Sequence, residues 1–280
     1  MEERKITREL IEAFSLHLIR QEKSSGTISK YVHDVTLFAE WMQGERVLQE
    51  HTVQWKNDLV ESGRMLTTVN SMIAAVNSFF RYVKWGYHIK YVRIQKRFFR
   101  ADEKVLTRSD YDKLLKTAYR QGKESLGLLM ETICATGIRV SEIRYITMEA
   151  ARSGRAEILL KGKHRTILIP DKLCRKLKRY AAKRGIRRGE LFLNKRGKSM
   201  DRKQIWSQMK ALCKFAGVSE KKVFPHNLRH LFARAFYRAS KDITGLADVL
   251  GHSSIETTRI YLESTETERI KKIEQLKLVL

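Results

Sequence analysis

The chain has 280 residues, 42% of them hydrophobic, and its 56 Lys and Arg against 31 Asp and Glu give a formal net charge of +25. That is material for two ordinary domains, and no apolar run approaches the roughly 20 residues that span a bilayer. Three scattered cysteines, Cys134, Cys174 and Cys213, argue against a disulfide framework or a zinc site and fit a reducing cytoplasm.

The first ninety residues read as four helices. Thr7 can cap a segment carrying Leu10, Ile11, Phe14, Leu18 and Ile19. A second segment follows Gly26 with Ile28, Tyr31, Val32, Val35, Phe38, Trp41 and Met42, at the steps of three and four that make one apolar helix stripe. A shorter third helix is expected to start near Thr52 and to carry Val53, Leu59 and Val60. The fourth, from Thr67, carries Val69, Met72, Ile73, Val76, Phe79, Phe80 and Val83. Aromatic side chains at that spacing are core residues rather than a base-stacking platform.

Residues 94–105 lose the periodicity and are dense in charge, as an interdomain linker would be. Thr107 and Asp110 then form the pattern of a capping box opening a helix through Tyr111, Leu114 and Leu115. Further on, Met148–Ala156 reads as short and irregular. Ala156–Leu160 and Arg165–Ile169 are β-prone runs about a turn of Lys161, Gly162, Lys163 and His164, which predicts a hairpin. Between Lys172 and Arg188 stand nine basic residues and no acidic one. Such a run, with no Trp- or Phe-rich opposing face, favours nucleic acid over a membrane surface as partner. The final segment places Ile270, Ile273, Leu276 and Val279 three apart, an apolar stripe for a tail helix at about 265–280.

Chemistry-bearing side chains stand in three boxes and a turn. ATGIRVSEI places Arg139 just past a glycine break, and Lys161 lies in the hairpin turn, with Lys163 as a competitor. HNLRH sets His226 and Arg229 on one face of a helix start, and LGHSSIETTRIY runs from His252 to Tyr261. A tyrosine is a poor nucleophile near neutral pH, because its pKa is about 10. Two guanidiniums can hold the non-bridging oxygens of a pentavalent phosphate, and a Lys or His can protonate the leaving oxygen. No acidic or Cys/His spacing suggests a metal, so the chemistry expected is cofactor-free.

These boxes resemble those of the tyrosine recombinase (phage integrase) family. The resemblance implies a mainly α fold with a small β-hairpin (α+β), arranged as a two-domain C-shaped DNA clamp. Residues 1–93 would be a helical, SAM-like core-binding domain and 106–280 the catalytic domain. The size is that of Xer-like members, with no arm-binding domain expected. By the same resemblance Arg139 and Arg229 clamp the scissile phosphate, and Lys161 is the general acid for the leaving 5′-hydroxyl. His226 acts as acid/base toward the tyrosine, His252 hydrogen-bonds the phosphate, and Tyr261 forms a 3′-phosphotyrosyl link. Implied partners are duplex DNA with a specific recombination site, three further copies docked through the tail helix, and accessory proteins. Glu142 reads as orienting an arginine, His230 as packing, His164 as a solvated turn residue, and Cys134 as helix core. Two other functions stay open at this point: a type IB topoisomerase that relaxes DNA without exchange, and a non-catalytic architectural DNA-binding protein.

Overall fold

A computed structural model describes residues 4–94, 102–160, 163–252, 254–262, 270 and 273–276. The chain divides into two compact units, Met1–Lys96 and Arg97–Leu280. Lys161, Gly162 and much of the tail lie outside the described residues. Among the described residues no helix is long and apolar enough to cross a membrane.

The first unit is four helices: α1 (Arg8–Arg20), α2 (Ser25–Met42), α3 (Gln49–Glu61) and α4 (Leu66–Tyr82). Thr7 caps α1 through its hydroxyl, and Ser24 does the same for α2, so α2 starts just ahead of Gly26 rather than after it. Their apolar faces meet in an aromatic core. Phe38 and Trp55 stand edge to face at 4.9 Å, and Phe14 and Phe79 at 5.4 Å, an arrangement that satisfies the ring quadrupoles. In the third helix Thr52, Trp55 and Leu59 are buried, whereas Val53 and Val60 are exposed. Trp55 fills the space that two valines could not, and its larger apolar area decides the rotation of the helix. Two asparagines on α4 clasp the chain that follows. Asn77 exchanges a donor and an acceptor with the backbone of Ile89 at 2.9 and 2.8 Å, and Asn70 does so with Val92 at 2.8 Å each.

In the second unit α6 (Glu124–Thr136) is the central helix, apolar on nearly every side, with Leu126, Leu128, Leu129, Met130 and Ile133 buried. Around it lie α5 (Arg108–Arg120), α8 (Asp171–Lys183), α9 (Arg202–Ala216) and α10 (Pro225–Ser240). The capping box at Thr107 and Asp110 is present. Met148–Ala156 is more regular than expected. It holds a six-residue helix, α7 (Met148–Ser153), capped by Thr147 and closed by Gly154 in the left-handed region. A helix this short shows no periodicity in sequence, which is why only its caps could announce it.

The antiparallel hairpin is β1 (Arg155–Leu160) with β2 (Lys163–Leu168). Pairing continues to Leu160 and Lys163, so His164 is a strand residue opposite Leu159 and not part of the turn; its ring meets Glu157 at 3.0 Å. Alternation is regular: Ala156, Ile158 and Ile167 are buried against the body of the unit, and Leu159 and Leu168 face outward. The mainly α architecture with one small hairpin is the fold class expected. Two further helices, α11 (Ile243–Leu250) and α12 (Ile255–Leu262), close on α10.

Candidate active site

Helix ends build the site. α6 stops at Gly137, whose φ of +64° is the left-handed conformation of a C-terminal glycine. No other residue fits there, because a Cβ on Gly137 would lie 2.5 Å from the ring of Phe232. The turn frees the carbonyl of Gly137 and delivers Arg139 to the start of a short 3-10 segment, Val140–Tyr145. α10 begins with Pro225 at its first position, so His226 and Arg229 follow on the first turn. The start of that helix is tied down by Asn227, whose amide donates to the carbonyls of Lys104 and Lys222 at 2.8 and 2.7 Å. α11 ends at Gly251, again left-handed with φ +61°, leaving His252 just beyond and Tyr261 one short helix later.

Arg229 is the most enclosed charge among the described residues, 1% exposed. It donates to the carbonyl of Gly137, to that of Leu250 at 2.8 Å, and to Nε2 of His252 at 2.9 Å. Burial holds its pKa below the ordinary arginine value, yet a guanidinium stays charged at neutral pH. Its Nε is buried and makes no hydrogen bond among the described residues. Buried donors are rarely left without a use.

Arg139 is half-exposed and forks between Glu142 Oε1 at 2.9 Å and the carbonyl of Gly251 at 3.3 Å. Glu142 is 3% exposed and also reaches Arg165, 3.3 Å from Oε2. The carboxylate thus sits between two guanidiniums, in keeping with an orienting role. Arg165, on β2, was not singled out in the sequence. Burial, the largest influence, draws its pKa down to about 10, with Glu142 opposing and Arg229 and Arg139 reinforcing. Three guanidiniums around one carboxylate leave two positive charges uncompensated, a pocket of potential for an anion.

His252 has a defined tautomer. An arginine offers only donors, so Nε2 must present its lone pair to Arg229, and Nδ1 carries the proton toward Thr258 Oγ1 at 2.9 Å. Burial first, then the charges of Arg229, Arg139 and Arg165, push its pKa down to about 4.

Tyr261 is 7% exposed and packed among these groups. His226 lies 5.2 Å from its ring, His252 also 5.2 Å, and His230 only 4.2 Å with the two rings tilted by 31°. The guanidinium carbon of Arg229 stands 5.7 Å from the ring centre. His230, which the sequence reading assigned to packing, has the ring of Tyr261 itself as a neighbour. Cys134 contacts the carbonyl of Leu228 at 3.5 Å and burial pushes its thiol pKa up, the behaviour of an inert core residue. Five of the six expected site residues, Arg139, His226, Arg229, His252 and Tyr261, converge in one chain; Lys161 is outside the described residues. Among the described residues no cluster of His, Cys, Asp or Glu is grouped to hold a metal ion.

Comparison with known proteins agrees with the boxes and the fold. Residues 104–268 match the phage integrase family, and residues 11–86 match its N-terminal SAM-like domain. The chain belongs to the phage integrase family. This integrase is 30% identical to the tyrosine recombinase XerD of Listeria innocua, over 95% of its own length and 97% of that protein's. Its fold is similar to that of the XerH site-specific recombinase in a post-cleavage complex with a palindromic difH substrate. There the TM-score is 0.73 at 19% identity, covering 98% of this chain and 90% of the other. It is also similar to the lambda integrase tetramer bound to a Holliday junction, with a TM-score of 0.72 at 16% identity, covering 92% and 77% of the two chains. The integrase is accordingly a tyrosine recombinase.

Proposed function

We propose that this tyrosine recombinase cleaves and rejoins duplex DNA at a specific site through a 3′-phosphotyrosyl link to Tyr261. The observation that carries the reading is the enclosure of Tyr261 by His226, His252 and Arg229, beside Arg139, all from one chain. In this reading a phosphate enters the positive pocket and takes donors from Arg139 and Arg229. Removing one such donor typically slows acyl or phosphoryl chemistry on the order of 10²–10³-fold. His226 accepts the tyrosine proton as the oxygen attacks phosphorus. Lys161 protonates the departing 5′-oxygen, and the same groups run in reverse when a 5′-hydroxyl displaces the tyrosine.

His252 has a further part. Once the phosphate replaces Nε2 as acceptor for Arg229, the ring can shift its proton to Nε2, with Thr258 donating to Nδ1, and hydrogen-bond the phosphate itself. Thr258 suits either tautomer, since a hydroxyl both donates and accepts.

The finer partners follow the same reading. The site is a duplex recombination site, four copies assemble on it, and the tail is their contact. Ile270, Ile273 and Leu276 are exposed and available for that contact. The setting is a reducing cytoplasm, where Cys134, Cys174 and Cys213 remain free thiols.

A nicked suicide substrate carrying the cognate site tests the reading, because loss of the short leaving strand traps the adduct. The wild type is expected to accumulate covalent protein–DNA complex and Tyr261→Phe none. An adduct that persists in Tyr261→Phe removes Tyr261 from its role. A two-site assay then separates exchange from mere relaxation: recombinant product supports a recombinase, and relaxation alone a topoisomerase.

A further inference from the structure

Strand alternation puts Arg165 where a core side chain belongs. It pairs across the hairpin with Ile158 and lies two residues from Ile167, and both isoleucines are buried. A guanidinium on that face must be repaid with specific hydrogen bonds, because burying a charge is costly. Arg165 has them. Its side chain is 10% exposed, with one terminal nitrogen on Glu142 and the other donating to the carbonyl of Val249 at 3.0 Å. The stem passes against Gly251, where a Cβ would lie 2.4 Å from Cδ of Arg165. A side chain with long reach is thereby confined to one path.

What it holds is the partner of a phosphate-clamp arginine. Glu142 is 3% exposed and gives Oε1 to Arg139, while Oε2 takes the backbone N–H of Arg139 and the guanidinium of Arg165. Without Arg165, Glu142 loses one of its two cations, and Oε2 is left with the backbone N–H of Arg139 alone. Arg139 is half-exposed and depends on that carboxylate and on the Gly251 carbonyl for its aim.

We propose that Arg165 is a positioning residue for strand cleavage, acting through Glu142 to set the guanidinium of Arg139 toward the scissile phosphate. This rests on the reading of the site as the DNA-cleaving centre. Arg165 contributes its charge to the pocket but makes its contacts to protein, and its loss acts at second hand through Arg139.

The test is a rate cycle on the full-length protein with the suicide substrate. Single-turnover cleavage is measured for wild type, Arg165→Ala, Arg139→Lys and the double variant, alongside DNA affinity and melting temperature. Lysine at 139 keeps a measurable rate but cannot fork between Glu142 and a phosphate. Arg165→Ala is expected to cleave on the order of 10²-fold more slowly than wild type, with DNA affinity within about threefold. In the Arg139→Lys background the same change is expected to add little further slowing, because both arginines act through the one carboxylate of Glu142. Defects that multiply would mean that Arg165 acts independently of Arg139, and the proposal fails. An unchanged rate in Arg165→Ala overturns it equally. Should Arg165→Ala not fold, Arg165→Lys runs the same cycle with charge retained and the fork lost, and the same two outcomes decide. A wild type that forms no adduct overturns the reading of the site, and this proposal with it.

Discussion

His252 accepts a hydrogen bond from Arg229 on one ring nitrogen and faces Thr258 with the other, and protonation would set a fourth positive charge beside three guanidiniums. Burial, reinforced by those charges, lowers its pKa from the ordinary 6.5 to about 4 in the folded chain. Between those two values the unfolded chain binds a proton that the folded chain refuses. Stability therefore declines as pH falls through that window and is insensitive to this group above it. Melting temperatures between pH 7 and 4 are expected to fall more steeply for the wild type than for His252→Gln, and identical slopes would take His252 out of the account. Residues with a chemical motif were legible in the sequence at this scale: Arg139, His226, Arg229, His252 and Tyr261 all reach one place. Arg165 and the ring contact between His230 and Tyr261 were not. The signal for Arg165 was a charged residue at an inward register position, and register becomes known only when Arg165 is seen to pair with Ile158.

α6 shows how an element end becomes part of a site. The helix is buried nearly all round, so its direction is fixed by packing, and Gly137 ends it with a carbonyl aimed at Arg229. Gly137→Ala would place a Cβ at positive φ and against Phe232 and Leu250. It is expected to destabilise the chain by about 1–3 kcal/mol or more, from backbone strain and overpacking together. The denaturation midpoint reads this directly, and cleavage should drop beyond what the stability loss explains because the carbonyl at position 137, one of three partners of Arg229, is displaced. A midpoint within error of wild type would show that Phe232 yields freely. Long elements with caps were visible in sequence, as α1 with Thr7 and α5 with its capping box attest. Rotation about a helix axis was less so. α3 has two valines and a tryptophan competing for the core, and three-dimensional fit chose the tryptophan. The hairpin turn was read two residues too long because Lys163 and His164 are polar, although polarity does not prevent pairing on an edge.

For the whole molecule, cumulative periodicity made the helices of the first unit legible, and the net charge of +25 raised the expectation of a polyanionic partner. Long-range convergence was harder to see. Arg139 and Gly251 are far apart in the chain yet joined by a hydrogen bond, and only the family resemblance linked their boxes beforehand. That convergence happens inside a single polypeptide, with Tyr261 enclosed by its own chain's histidines and Arg229. It carries a genetic consequence. A subunit lacking Tyr261 and a subunit lacking Arg229 have no way to lend each other the missing part. Mixing Tyr261→Phe with Arg229→Ala should give no complementation and no covalent adduct on either partner. A restored adduct on the Arg229→Ala subunit would mean that the tyrosine is donated across an interface instead. Each copy, by this geometry, brings its own Tyr261 together with the Arg229 beside it.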